Sequence, residues 1–358
     1  MGEIVVLLDH RDIVVKSEGQ VLRIDRPGRK PERVPINMVG RVVVYGSPMV
    51  SCDVWRKLAD CGVPAILFPG RGKGGPAWLG SGLSTSVMVR LAQHKGAASP
   101  TVSTEIARFL IDRKLAVQEK LLELLCRDDQ DETLCSLFAE EIVEKAAATG
   151  EILRRCRLAV EEAESIESIR GHEGTGATAW FSFLSEILPP KWHFTGRNRR
   201  PPRDPVNGLL SLSYTMALSE VRQVVQLRGL DPCVGFMHLP RAGRESLLLD
   251  ILEPCRPAVD GFVLELIHRD LTPEHFTSSK SNGSRLNKNG RAIYYSRWSE
   301  RRLNWPAWHL DFEEFLSEPA PADKTDITLR SAIHAIVRDV TGILPQYQTS
   351  EGDTWESC

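Results

Sequence analysis

Asp250 and Glu253 stand three residues apart in SLLLDILEP (246–254), and His238 precedes them in GFMH (235–238). On a helix that spacing puts both carboxylates on one face, where they repel unless something positive lies between them. Taken singly, a histidine is more often a hydrogen-bonded structural residue than a ligand, and surface acids are more often solvated than catalytic. Together the three are better explained by a cation. Carboxylate oxygens with one imidazole suit Mn²⁺ or Mg²⁺, and the imidazole leans the choice toward manganese. In the absence of that ion, losing one carboxylate would relieve repulsion and raise thermal stability.

Such a site needs a further acid. Glu173, in IRGHEGTGATAWFSFL (169–184), heads a run of small residues that would let another helix or a ligand backbone come close. The plainer alternative is a tight helix crossing with a surface glutamate at its start. His172, its neighbour, should face elsewhere on a helix.

A second constellation is basic. KWHFTGRNRRPPR (191–203) holds five basic residues and no acid. Arg197, Arg199, Arg200 and Arg203 are the first candidates for phosphate contacts, which guanidinium forks make with two prongs and without reading bases. PPRDP also builds the turn before the next helix, a role that would absorb one or two of the four. Tyr214, Trp180 and Phe181 fit a core better than a base-stacking surface.

The elements that must carry these residues change character along the chain. EIVVLLD, DIVVKS, QVLRID, GRVVVYG and PAILFP are short, β-branched and punctuated by turn residues, so the first hundred residues predict strands, with one helix over about 50–61. RGKGG (71–75) lacks the Lys-Ser/Thr ending of a phosphate-binding loop and is expected as a turn or mobile loop. From about residue 97 apolar residues recur at three- and four-residue spacing, with separate helices expected over 134–148 and 151–166. The best-marked helix has Asp204 as N-cap, Pro205 in its first turn and Gly229 as its stop. Residues 246–268 and 327–341 complete the helical part, SEPAPAD (317–323) is a linker, and the tail is polar. The fold class is therefore α+β. It comprises a small N-terminal β-rich domain (1–96), a larger all-helical catalytic domain (97–342) and a C-terminal tail (343–358).

Bulk properties agree with a globular chain. It has 358 residues, 42% hydrophobic and 26% charged, with a net charge of −2. That near-neutral total conceals opposite patches, with −8 over 119–167 against +5 over 269–302. Such a distribution suits a polyanion partner on one face. Eight scattered cysteines without a CxxC predict reduced, mostly buried thiols. The absence of an 18-residue apolar run or a signal-peptide pattern predicts a cytoplasmic protein with no membrane partner.

EG-x-x-A followed by aromatics, RNRRPPRDPVNGLLSLSY, GLDP-x-x-GF-x-H and SLLLD-x-x-EP-x-RP occur in that order over 173–257. As a set they resemble the CRISPR-associated spacer-acquisition integrases, the Cas-one family. The resemblance implies a metal-dependent DNA integrase and endonuclease that joins prespacer 3′-hydroxyl ends to repeat phosphodiesters. It carries metal ligation onto Glu173, His238 and Glu253, with Asp250 as an adjacent acid. It also implies double-stranded DNA as partner, a homodimer, and a small Cas-two protein bridging two dimers. The edges of the short strands, which need a cover, predict that the two copies meet through the β-rich domain. Two rivals from other classes are a non-catalytic DNA-binding scaffold and a metal-dependent hydrolase of small phosphoesters. Metal-dependent nicking of branched DNA separates the first, and salt-sensitive DNA binding the second.

Overall fold

A computed structural model describes residues 4–69, 76–79, 87–126, 140–199, 201–279, 283–306, 309 and 327–345. RGKGG, SEPAPAD, Arg200 and the tail beyond 345 lie outside them. The expected strands form as β1 (Ile4–Leu8), β2 (Val14–Glu18), β3 (Val21–Asp25), β5 (Val39–Tyr45) and β7 (Ala65–Phe68), and the expected helix as α1 (Cys52–Asp60). Three shorter strands join them: β4 (Glu32–Pro35), β6 (Met49–Val50) and β8 (Ala77–Leu79). At two to four residues each they are too brief to leave an apolar alternation in the sequence. One sheet runs β1-β5-β7-β8 and the other β4-β3-β2-β6, with β5 parallel to both β1 and β7. The two-residue turn between β2 and β3 puts Gly19 at φ 61°, the left-handed conformation that a tight hairpin requires.

β5 is buried on both faces, because strand side chains alternate. Val42 and Val44 join Val6, Leu8, Val15, Leu22 and Ile24 in the core between the sheets. Arg41 and Val43 face the opposite way, into the helical part. The Arg41 guanidinium is fully buried, 2.8 Å from Glu220 and 3.3 Å from the carbonyl of Met216. Tyr45 accepts a 3.0 Å hydrogen bond from Tyr295. The β-rich part is thus keyed to the helices by a buried ion pair.

Helical structure runs through α2 (Val87–Ala97), α3 (Pro100–Leu125), α4 (Glu140–Glu162), α5 (Ile166–Ile187), α6 (Pro205–Leu227), α7 (Ser246–Leu252) and α8 (Arg256–Glu265). A small hairpin of β9 (Phe276–Ser279) and β10 (Gly283–Leu286) follows, then α9 (Lys288–Leu303) and α10 (Leu329–Ile343). A β-rich start followed by a larger helical region is the class the sequence predicts, with this hairpin as an exception to all-helical. Asp204 caps α6 by accepting from the Asn207 amide at 2.8 Å, and Gly229 at φ 76° turns the chain out of it. The helices expected over 134–148 and 151–166 are, from residue 140 where the described residues resume, one helix, α4, which runs through Gly150 and stops before Ser165 caps α5. A single interior glycine costs only about 1 kcal/mol, too little to break a well-packed helix.

The cysteines depart from expectation in burial. Cys52, Cys61 and Cys233 are exposed, while Cys156 and Cys255 are buried. The exposed three sit where α1 begins, where it ends and in the loop after α6, positions that face solvent whatever the side chain. Among the described residues no helix is long and apolar enough to cross a membrane.

Candidate active site

Asp250 is fully buried on α7 and accepts four hydrogen bonds. Its Oδ2 takes the amides of Phe236 (2.6 Å) and Met237 (3.1 Å), and its Oδ1 takes the amide of His238 (3.0 Å). Oδ1 also lies 2.6 Å from His238 Nδ1. A proton on Nδ1 completes that bond and leaves the Nε2 lone pair free. This carboxylate–histidine arrangement is the one that orients imidazoles toward metal ions. Asp250 therefore builds the 236–238 turn and aims the ring, and it has no lone pair to spare.

Glu253 begins a single 3₁₀ turn (Glu253–Cys255) between α7 and α8. Pro254, which has no amide to donate, interrupts the α-helical ladder there. Glu173 lies on α5, which crosses α3 closely: a β-carbon on Gly176 would meet Leu115 Cδ2 at 2.8 Å. The run of small residues serves the close helix approach its composition suggested. That crossing brings Glu173 against Lys114, the residue beside Leu115. The Lys114 ammonium bonds to Glu173 Oε1 and, at 2.8 Å, to Glu253 Oε2. Arg256 Nη2 holds the other oxygen of Glu253 at 3.1 Å. Burial opposes the charge on Glu253, but Arg256 and Lys114 overcome it and hold its carboxyl down at about 2. Burial likewise opposes the charge on Lys114, and Glu253 and Glu173 outweigh it, so its pKa is raised.

The repulsion predicted between the acids is therefore already answered inside the protein. Asp250 is matched by His238 and the backbone, and Glu253 by two cations. Losing Glu173 or Glu253 would take one of the two carboxylates that balance the buried Lys114 ammonium, which reverses the expected gain in stability.

Glu173, His238 and Glu253 line one polar cavity of about 530 Å³, together with Glu167, Arg170, Arg199, Arg244 and Arg256. Among the described residues no three acid, histidine or cysteine side chains converge on one point as they stand. The space between Glu173 and Glu253 nevertheless favours a cation, since Lys114 fills it. Two carboxylates around a cation position, beside an imidazole with a free nitrogen, are a donor set that fits Mn²⁺ or Mg²⁺. His172 is not in the cavity wall.

The three described arginines of that stretch separate. Arg199 reaches the cavity wall and is exposed. Arg203 is exposed, with its amide bonded to Asn198. Arg197 turns inward, donating to the Asn198 carbonyl (2.5 Å), Asn207 Oδ1 (2.7 Å) and Ser211 Oγ (3.2 Å). It builds the turn before α6.

Sequence reasoning missed Lys114, Arg170, Arg244 and Arg256. Lys114 sits on the apolar face of α3, and a charged residue in a core stripe was the available signal. Trp180 and Tyr214 are core, as expected, but polar at their tips. Both donate to the buried Asp260, from Trp180 Nε1 at 2.9 Å and the Tyr214 hydroxyl at 2.5 Å. Burial raises the Asp260 carboxyl to about 6. The guanidinium of Arg256 lies 5.0 Å from the centre of the Tyr214 ring, so this network also supports the partner of Glu253.

The family described as CRISPR associated protein Cas1 matches residues 6–300. A CRISPR-associated endonuclease Cas1 of Thermodesulfovibrio yellowstonii is 32% identical over 306 residues, covering 84% of this chain and 93% of that protein. Among solved structures, a casposase bound to integration product matches with a TM-score of 0.74 at 19% identity, over 99% of this chain and 97% of that one. A Cas6-RT-Cas1–Cas2 complex matches with a TM-score of 0.71 at 19% identity, over 97% of this chain and 36% of that one.

Proposed function

The chain belongs to the CRISPR-associated Cas1 family, and on that premise we propose that it joins prespacer 3′-hydroxyl ends to repeat phosphodiesters in CRISPR adaptation. With water as nucleophile the same centre cleaves DNA. The observation that carries the reading is a single cavity lined by Glu173, His238 and Glu253 together with Arg170, Arg199, Arg244 and Arg256.

Glu173, His238 and Glu253 would hold a magnesium or manganese ion. Such an ion, when bound, polarises a phosphoryl oxygen and lowers the pKa of an attacking hydroxyl. Asp250 keeps the His238 ring oriented and its Nδ1 protonated. Arg199, Arg170 and Arg244 offer guanidinium forks to the DNA backbone on the approach to the cavity. As one phosphorus–oxygen bond forms, the bond to the repeat strand's own 3′-oxygen breaks, and that oxygen takes up a proton. The number of phosphodiesters is unchanged, so the joining needs no nucleotide hydrolysis. The casposase bound to integration product supports joining over simple cleavage.

The same reading takes residues 1–96 as the dimerisation domain, 97–342 as the catalytic domain and a small Cas2 protein as a bridge between two dimers. The Cas1–Cas2 complex among the matching structures supports the last of these. For the first, β8 is an edge strand with Leu79 40% exposed, and Met49 is 70% exposed in the edge strand β6. Edges of that kind call for a cover.

The test is incubation with a prespacer duplex, a repeat-bearing plasmid, Mn²⁺ and the cognate small partner, scored for joined product. Joined product that survives chelation of the metal would remove the proposed chemistry.

A further inference from the structure

Lys114 belongs to no part of the chemistry described above, yet its ammonium fills the space a divalent ion would need. It is 5% exposed, sits on the apolar face of α3, and bonds to Glu173, 59 residues away, and Glu253, 139 residues away. An ammonium and a divalent ion held between the same two carboxylates would lie within a few ångströms of each other. Lys114 and Glu253 are themselves almost wholly buried, so like charges at that separation are weakly screened and repel strongly. The two occupants exclude one another.

A second seat for the ammonium exists on the same helix. Gln118 lies one turn further along α3, on the face Lys114 occupies. It is 2% exposed, and its Oε1 is buried with no hydrogen-bond partner among the described residues. A buried amide oxygen left unpaired is costly and uncommon in a native fold. A lysine side chain, with its four rotatable carbons, can swing from one position to the other.

We propose that Lys114 is a positioning residue that holds Glu173 and Glu253 together in the ion-free protein and yields its place to the divalent ion by moving to Gln118 Oε1. The inference rests on the metal-site reading above. Its consequence is a site that keeps its acids converged before metal arrives but binds metal less tightly than its carboxylates alone would. The ammonium acts as an internal competitor, and metal affinity is lowered by whatever it costs to displace it.

The experiment measures Mn²⁺ binding to the full chain by electron paramagnetic resonance, with melting temperature recorded in chelator and in excess Mn²⁺. Lys114→Met removes the competitor and should bind Mn²⁺ more tightly, on the order of tenfold. It should melt lower than wild type in chelator and recover the difference with metal. Lys114→Gln keeps a donor to the carboxylates without the charge, and it serves should the methionine variant not fold. It too should bind Mn²⁺ more tightly. Gln118→Leu removes the second seat and should bind Mn²⁺ more weakly. Unchanged or weaker affinity in both Lys114 variants overturns the competition, and unchanged affinity in Gln118→Leu overturns the second seat. Wild-type binding that survives Glu253→Gln overturns the metal site itself, which separates failure of that reading from failure of this one.

Discussion

Gly235 and Asp250 touch so closely that a β-carbon on Gly235 would lie 2.6 Å from Asp250 Oδ2 and 2.8 Å from the backbone of Ser246. The glycine lets the 235–238 turn sit on α7, so that one buried carboxylate accepts three successive amides and orients His238. Gly235→Ala should push Asp250 off those amides and rotate the imidazole. Overpacking of this kind costs about 1–3 kcal/mol. Joining should fall much more than DNA affinity does. A joining rate within twofold of wild type would show that the turn tolerates the shift.

Alanine at Glu173, His238 or Glu253 should abolish joining and leave DNA affinity largely intact, because the phosphate contacts lie on other residues. Glu253→Ala should also lower stability by about 3–5 kcal/mol, since it leaves buried Arg256 without its carboxylate and Lys114 with only Glu173. Denaturant unfolding in chelator reads that loss. A variant as stable as wild type would mean that the two cations find other partners.

Arg199 and Arg197 should part company. Charge reversal at Arg199 should weaken binding to DNA of any sequence and reduce the salt slope by roughly one per lost contact. Arg197→Ala should leave that slope alone and instead destabilise the turn before α6 by about 1–3 kcal/mol, because Asn207 Oδ1 loses one of its two donors and Ser211 Oγ loses the guanidinium. A salt titration paired with a melting curve separates the two, and an altered salt slope for Arg197→Ala would return it to the DNA surface.

Two buried acids should bend stability with pH in opposite senses in ion-free protein. The Glu253 carboxyl is lowered from 4.5 to about 2, so its contribution is present above pH 4.5 and is lost as pH falls toward 2. Asp260 is raised from 3.8 to about 6, so its contribution is present below pH 3.8 and is lost as pH rises through 6. Asp260→Asn should remove the decline between pH 4 and 6, and Glu253→Gln the loss below pH 4.5. Melting curves across pH 2–8 that keep both slopes in the variants would reassign them.

Truncation is a poor test of the dimer, because Arg41, Val43 and Ile66 are buried against the helical part and deleting residues 1–96 would open its core. Leu79→Lys in the full chain keeps that core closed and puts a charge on the exposed edge strand. Light scattering at low micromolar concentration should then report a monomer where wild type gives a dimer. A Leu79→Lys protein that remains dimeric would take the interface away from this edge.

Local pattern alone carried much of this molecule. The change from period two to three- and four-residue spacing, the cap and stop of α6, and the small-residue run before Trp180 all act within a few residues, where backbone geometry leaves few choices. Glu173, His238 and Glu253, singled out by type and spacing, do line one cavity, while Asp250 serves as an acceptor for the backbone. Which charge faces which acid was not legible. Lys114 meets Glu173 across 59 residues and Glu253 across 139, while Arg197 turns inward and Arg199, two residues on, turns out. Periodicity says that a residue lies on a buried face. It does not say which distant side chain the packing of three helices will set against it, and in a low-dielectric interior that pairing decides charge and stability.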